Sequence, residues 1–190
     1  MKAAVLAALL ALPVAAQYHG PPPALVISMA GDGTELTKAD ALAMGWLMGR
    51  MHYDVTISVH AESGYDDHSI VTAYLMRRIG LSTSKSAEVA RTSYELPPWF
   101  NGKWVLFEDL ELPAGEYWLV FERPPHAEHG APEWLVSRLS GFQAQDTTRF
   151  LGTRYYSYVN HRTDYIPDAT YTPTTKLQGY AIEITGVPVD

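Results

Sequence analysis

The sequence predicts an all-β domain, an antiparallel two-sheet sandwich of jelly-roll type with about eight or nine strands. Three observations predict it. Short alternating or apolar runs recur at close spacing, Gly, Pro, Asp and Ser punctuate them, and no βαβ alternation interrupts the series. The densest signal is Lys103–Glu122, KWVLFEDLELPAGEYWLVFE, two aromatic-rich extended runs joined at Pro113-Ala114-Gly115 that read as a hairpin.

Met1–Ala16 reads as a secretory leader. Lys2 supplies the basic n-region, Ala3–Leu12 the apolar core, and Val14-Ala15-Ala16 the small-residue cleavage site before Gln17. An apolar run of about ten residues is half the roughly twenty that span a bilayer, so the leader is expected to be removed rather than kept as an anchor. The chain is therefore expected to be secreted, extracellular or periplasmic, after cleavage near Ala16. Gln17–Pro23 follows as a stiff Pro-rich lead-in, and residues 24–190 read as a single domain.

Within that domain Leu25–Ser28 reads as the first strand and Gly31-Asp32-Gly33 as a turn. Leu36–Met51 is ambiguous; Gly45 and Gly49 weaken a helix there, which favours a strand around Met44–Met48. His52–Glu62 alternates, with Val55, Ile57 and Val59 on one face and Thr56, Ser58 and His60 on the other. Ile70–Ile79 is apolar on both faces, as a central strand is, and Gly80–Glu88 is a polar loop. Arg91–Leu96 reads as a strand stopped by Pro97-Pro98. After the Lys103–Glu122 pair come a loop at Pro124–Pro132, a strand at Glu133–Leu139 and a loop at Gly141–Arg149. A Tyr-rich segment leads into an irregular stretch through Thr175, and Tyr180, Ile182 and Ile184 mark a closing strand.

The chain has no cysteine, so in an oxidising compartment burial alone must stabilise it. Its formal charge of −7, more negative once Lys2 leaves with the leader, argues against a nucleic-acid partner. Acidic residues crowd Glu108–Glu133, where Arg123 is the single cation; this reads as a solvated, edge-protecting face.

Catalytic signatures are missing from the sequence. There is no Gly-x-Ser-x-Gly elbow, and His126 and His129 sit in a Pro/Gly loop rather than in a helical His-Glu-x-x-His motif. Glu108, Glu122 and Glu183 lie on expected strands and are the candidates for a carboxylate pair of glycosidase type. Asp32, Thr34 and Glu35 offer oxygen ligands for a structural calcium, although a Gly-Asp-Gly turn forms without one. No catalytic residue and no cofactor is assigned.

Aromatic residues are in surplus for one core, with 5 Trp and 12 Tyr. Rings that combine apolar area with a polar edge suit the faces of sugars. Trp99, between Pro98 and Asn101 in a loop, is the leading candidate. Tyr155, Tyr156, Tyr158, Tyr165 and Tyr171 follow, on a long segment that also holds Asn160, His161 and Arg162. Trp104 and Trp118 are assigned to core packing.

The order of segments resembles a known family. Val71–Leu96, Lys103–Glu122, Glu133–Ser137 and Gly179–Gly186 are similar in type and order to the secreted domains of bacterial PEP-CTERM-type, exosortase-associated surface proteins. The motif L-x-L-x-x-G-x-Y-x-L-V is met here by Leu110, Leu112, Gly115, Tyr117, Leu119 and Val120. The resemblance implies association with the envelope or with extracellular polysaccharide, and it carries no catalytic residues. The chain departs from the family pattern at its end, Gly186-Val187-Pro188-Val189-Asp190, where the sorting signal, apolar helix and basic tail are missing. The expected function is thus a non-enzymatic exported domain binding polysaccharide through exposed aromatics. A structural surface protein without a small ligand is the second reading, and a glycoside-active enzyme the third.

Overall fold

The computed structural model describes residues 23–27, 39–63, 70–122, 133–134, 136–138, 143–144, 148–157, 164–174 and 178–189. Among the described residues nine strands of five or more residues carry the fold: β1 (Pro23–Ile27), β2 (Ala41–Met48), β3 (His52–Glu62), β4 (Ile70–Met76), β5 (Glu88–Glu95), β6 (Asn101–Leu112), β7 (Gly115–Glu122), β11 (Arg149–Tyr156) and β14 (Ile182–Pro188). Five others, of two or three residues, are β8 (Glu133–Trp134), β9 (Val136–Arg138), β10 (Gln143–Ala144), β12 (Thr172–Pro173) and β13 (Gln178–Tyr180).

All pairings are antiparallel and form two six-stranded sheets with a small β9–β13 ribbon. The front sheet runs β10-β1-β14-β3-β6, with β8 added to β3; the back sheet runs β12-β11-β2-β7-β4-β5. Within these, β1-β14-β3-β6 faces β2-β7-β4-β5, the strand order of a jelly roll, extended beyond β2 by β11.

Lys103–Glu122 is not a hairpin. β6 pairs with β3 in the front sheet, whereas β7 pairs with β2 and β4 in the back sheet, so Pro113-Ala114 carries the chain across the sandwich. The burial of the two strands explains the separation. β7 hides Tyr117, Leu119 and Phe121 on one face and Trp118 and Val120 on the other, and only a central strand between two covered faces satisfies both. β6 exposes Glu108, Asp109 and Glu111, which suits an edge.

The ambiguous segment is strand β2, and its alternation is one of size rather than polarity. Leu42, Met44, Trp46 and Met48 enter the core between the sheets, while Ala41, Ala43 and Gly45 line the outer face of the back sheet. The small residues leave room for the Trp118 indole, which lies against Gly45. A Cβ built on Gly45 would stand 2.8 Å from two of its ring carbons. β3 follows its sequence reading, with Val55, Ile57, Val59 and Ala61 fully buried at alternate positions. β11 was not expected as a strand. Gly152, at φ +115° beside a register shift after Phe150, breaks the period-2 pattern that would have marked it.

A band of rings closes one end of the core between the sheets. Tyr94 stacks on Trp104 at 5.4 Å, Phe121 lies 5.7 Å from Trp134, and Trp134 lies 4.7 Å from Tyr180. Trp134 Nε1 donates to the Ala181 carbonyl at 2.8 Å, but the hydroxyls of Tyr94 and Tyr180 are buried without a hydrogen-bond partner. Burying a ring of ~150–250 Å² gains about 4–6 kcal/mol at ~25 cal/mol per Å². An unmade buried hydrogen bond costs about 1–3 kcal/mol, so area prevails over the lost bond.

Two measurements follow from this packing. Gly45→Ala drives a methyl into an indole that has no room to retreat and is expected to lower unfolding stability by about 1–3 kcal/mol in urea titrations. Tyr180→Phe removes a hydroxyl that bonds to nothing and is expected to be neutral or stabilising by up to about 1–2 kcal/mol in the same assay.

Candidate functional site

The leading sequence candidate, Trp99, stands in the turn between β5 and β6. It is 71% exposed, the most exposed aromatic ring among the described residues. Its backbone is left-handed at φ +60°. A bulky residue rarely adopts that region, at a cost of about 1–3 kcal/mol, and the strain persists only where neighbouring contacts enforce it.

The neighbours of Trp99 are anchored on both sides. Leu96 is 1% exposed in the core, and the Phe100 ring packs edge-on against Trp104 at 5.3 Å. Between them the Phe100 amide donates to the Pro97 carbonyl at 3.2 Å and to Ser63 Oγ at 3.0 Å. Ser63 Oγ donates to the Pro97 carbonyl at 2.5 Å, and the Ser63 amide donates to the Phe100 carbonyl at 2.9 Å. The turn is tied on each side of Trp99 while the indole projects outward. Beside it, where β6 begins, Asn101 Oδ1 lies 2.8 Å from His60 Nε2, and Lys103 forms an ion pair with Glu183 across the front sheet.

Sequence reasoning missed Ser63. Its partners lie 34 and 37 positions away along the chain, and no local motif marks such a serine.

The tyrosines have a different fate. Ile166, Ala169 and Tyr171, from residues 164–174, lie with Ala41, Ala43, Tyr74, Met76, Trp118, Val120 and Tyr156 in a second apolar cluster on the outer face of the back sheet. Tyr156 and Tyr171 are 6% and 9% exposed, with centroids 6.1 Å apart, so packing takes up the rings expected to grip a ligand. Tyr165 is partly buried against the same cluster and Tyr155 against the core between the sheets. The aromatic surplus reflects two cores where the sequence reading allowed for one. Tyr158, the calcium candidates Asp32, Thr34 and Glu35, and the pair His126 and His129 lie outside the described residues. Among the described residues no three metal-ligating side chains cluster.

Polar contacts fasten residues 164–174 down. The Gly80 amide donates to the Pro167 carbonyl and the Thr83 amide to Asp168 Oδ1, each at 2.9 Å. Tyr165 Oη donates to Glu88 Oε2 at 2.8 Å, and its ring meets Tyr74 edge-on at 5.9 Å. Tyr74 Oη in turn donates to Glu122 Oε2 at 2.5 Å. Burial pushes the Tyr74 phenol well above its ordinary value, and the neighbouring Glu122 adds to the shift. Burial also raises the Glu122 carboxyl above 4.5, while the Tyr74 hydrogen bond and Arg91 pull it back in part.

The three glutamates named for a glycosidase pair are dispersed. Glu122 lies on β7 of the back sheet, Glu183 on β14 of the front sheet is engaged by Lys103, and Glu108 is exposed on edge strand β6.

Comparison with known proteins adds no assignment: no family model matches the chain, and no curated protein or solved structure gives a significant match. The likeness to exosortase-associated surface domains rests on the motifs quoted above.

Glu122 supplies a pH test. Its raised folded-state value means that the folded protein holds this proton more tightly than the unfolded chain does. The associated stability is present below the ordinary value and is lost as pH rises through the raised one. The stability of the wild type relative to Glu122→Gln is therefore expected to fall as pH rises above the ordinary carboxyl value of 4.5, read from urea midpoints at each pH.

Proposed function

We propose that this protein is an exported, non-catalytic binding module that holds extracellular polysaccharide by stacking a sugar face on Trp99. The observation that carries the reading is the combination at that residue: a large ring kept mostly in solvent on a backbone that a tryptophan adopts only under constraint. An indole presented in this way spends little conformational entropy on binding, which suits recognition of a repeating polymer. The chain's acidity favours a neutral polysaccharide over an anionic one, since a formal charge of −7 repels polyanions. The leader at Met1–Ala16 and the resemblance to secreted surface domains agree with an extracellular ligand.

The test is affinity electrophoresis and calorimetry of the cleaved chain, from Gln17 onward, against a panel of neutral and anionic polysaccharides. Product release is monitored in parallel. Retardation by a neutral glycan without cleavage is expected, and Trp99→Ala is expected to weaken it by about tenfold or more, the equivalent of ~1.4 kcal/mol. The melting temperature should not fall, because the ring contributes little to the core. Unchanged retention in Trp99→Ala rejects the site. A wild type that binds no member of the panel shifts the reading to a structural surface protein.

A further inference from the structure

We propose that Ser63 is the positioning residue of the Trp99 platform, the group that fixes how the indole is presented; this rests on the glycan-binding reading above. The turn carries one bond of its own, from the Phe100 amide to the Pro97 carbonyl. Pro97 and Pro98 have no amide hydrogen, and the backbone groups that flank the Pro98-Trp99 pair are the Pro97 carbonyl and the two polar groups of Phe100. Ser63 engages all three. Its Oγ accepts from the Phe100 amide and donates to the Pro97 carbonyl, and its amide donates to the Phe100 carbonyl.

The serine is 4% exposed, so water does not compete freely for these bonds. It follows the last residue of β3, a strand whose alternate residues from Val55 to Ala61 are fully buried. The turn is thereby referenced to the rigid core of the front sheet rather than to another loop. A hydroxyl is the smallest group that accepts and donates at once, and both roles are used here. Ser63 meets no sugar in this scheme. It acts through Trp99, holding the left-handed backbone that would otherwise relax and turn the ring.

The experiment labels the protein with 5-fluorotryptophan and follows the fluorine resonance of Trp99, identified as the one of five lost in Trp99→Phe. In wild type without glycan a single sharp line is expected. In Ser63→Ala it should broaden or divide, and glycan retention should weaken by about tenfold, the scale of losing a pair of hydrogen bonds. Ser63→Thr, which keeps the hydroxyl, should restore both. Trp99→Gly tests the strain directly. It should raise the melting temperature of the wild type, because glycine adopts this backbone freely, and raise it less in Ser63→Ala, where the turn has already relaxed.

Hydrogen exchange at the Ser63 amide of the unmodified protein, which donates to the Phe100 carbonyl, gives a reading that needs no variant to fold. Slow exchange supports the clamp, and exchange at the rate of an open loop overturns it. A fluorine line and a retention both unchanged in Ser63→Ala overturn it as well. The fluorine and exchange readings are made without glycan, so failure of the wild type to bind any polysaccharide would reject the binding reading and leave Ser63's role to be decided by the turn itself.

Discussion

The constraint on which the architecture depends is that β7 is apolar on both faces. Tyr117, Leu119 and Phe121 must be covered from one side and Trp118 and Val120 from the other. A strand of a two-layer sandwich ordinarily has only one covered face. The back sheet therefore needs two covers, the front sheet within and residues 164–174 without. The consequences reach across the fold. β7 is central rather than the second half of a hairpin, β2 carries small residues on its outer face so that Trp118 can lie there, and Tyr156 and Tyr171 become packing groups.

The outer layer combines apolar contact with polar fastening. Arg154 lies 4.4 Å from the Trp118 ring, whose Nε1 donates to Glu116 Oε1 at 2.6 Å, so the indole is held on its face and at its edge. The Glu88–Arg91 pair at 3.7 Å is half solvent-exposed on the arginine side and contributes little by itself. The hydrogen bonds of Tyr74 and Tyr165 to carboxylates matter more, because they satisfy hydroxyls that burial would otherwise leave unpaired. In the core between the sheets the balance differs, and ring area outweighs unpaired hydroxyls at Tyr94 and Tyr180. A chain without disulfides that forms two such cores gains its stability from aromatic burial.

With Tyr156 and Tyr171 taken up by packing, Trp99 stands out by contrast. The residues on either side of it are anchored, and Ser63 ties the turn, yet the ring itself is left in solvent. A strained backbone that presents a mostly exposed ring is the observation on which the proposed surface role rests. The front sheet's margin beside the turn, with Asn101 held by His60, supplies polar groups where a ligand resting on the indole would extend.

The sequence by itself determined the fold class and the inward register of β3, because alternation of Val55, Ile57 and Val59 against polar neighbours is a local property of the chain. It also singled out Trp99 through the prolines beside it. Pairing partners and the destination of the tyrosines were decided only by the tertiary structure. Pro113-Ala114-Gly115 serves a sheet-to-sheet crossing as well as a hairpin, and the choice depended on what covers β7's second face. That face is covered by residues 164–174, more than forty positions away along the chain, just as the Ser63 hydroxyl is brought to Pro97 from 34 positions away. Periodicity reports which side chains seek burial; which surfaces meet to bury them is a property of the whole chain folded at once.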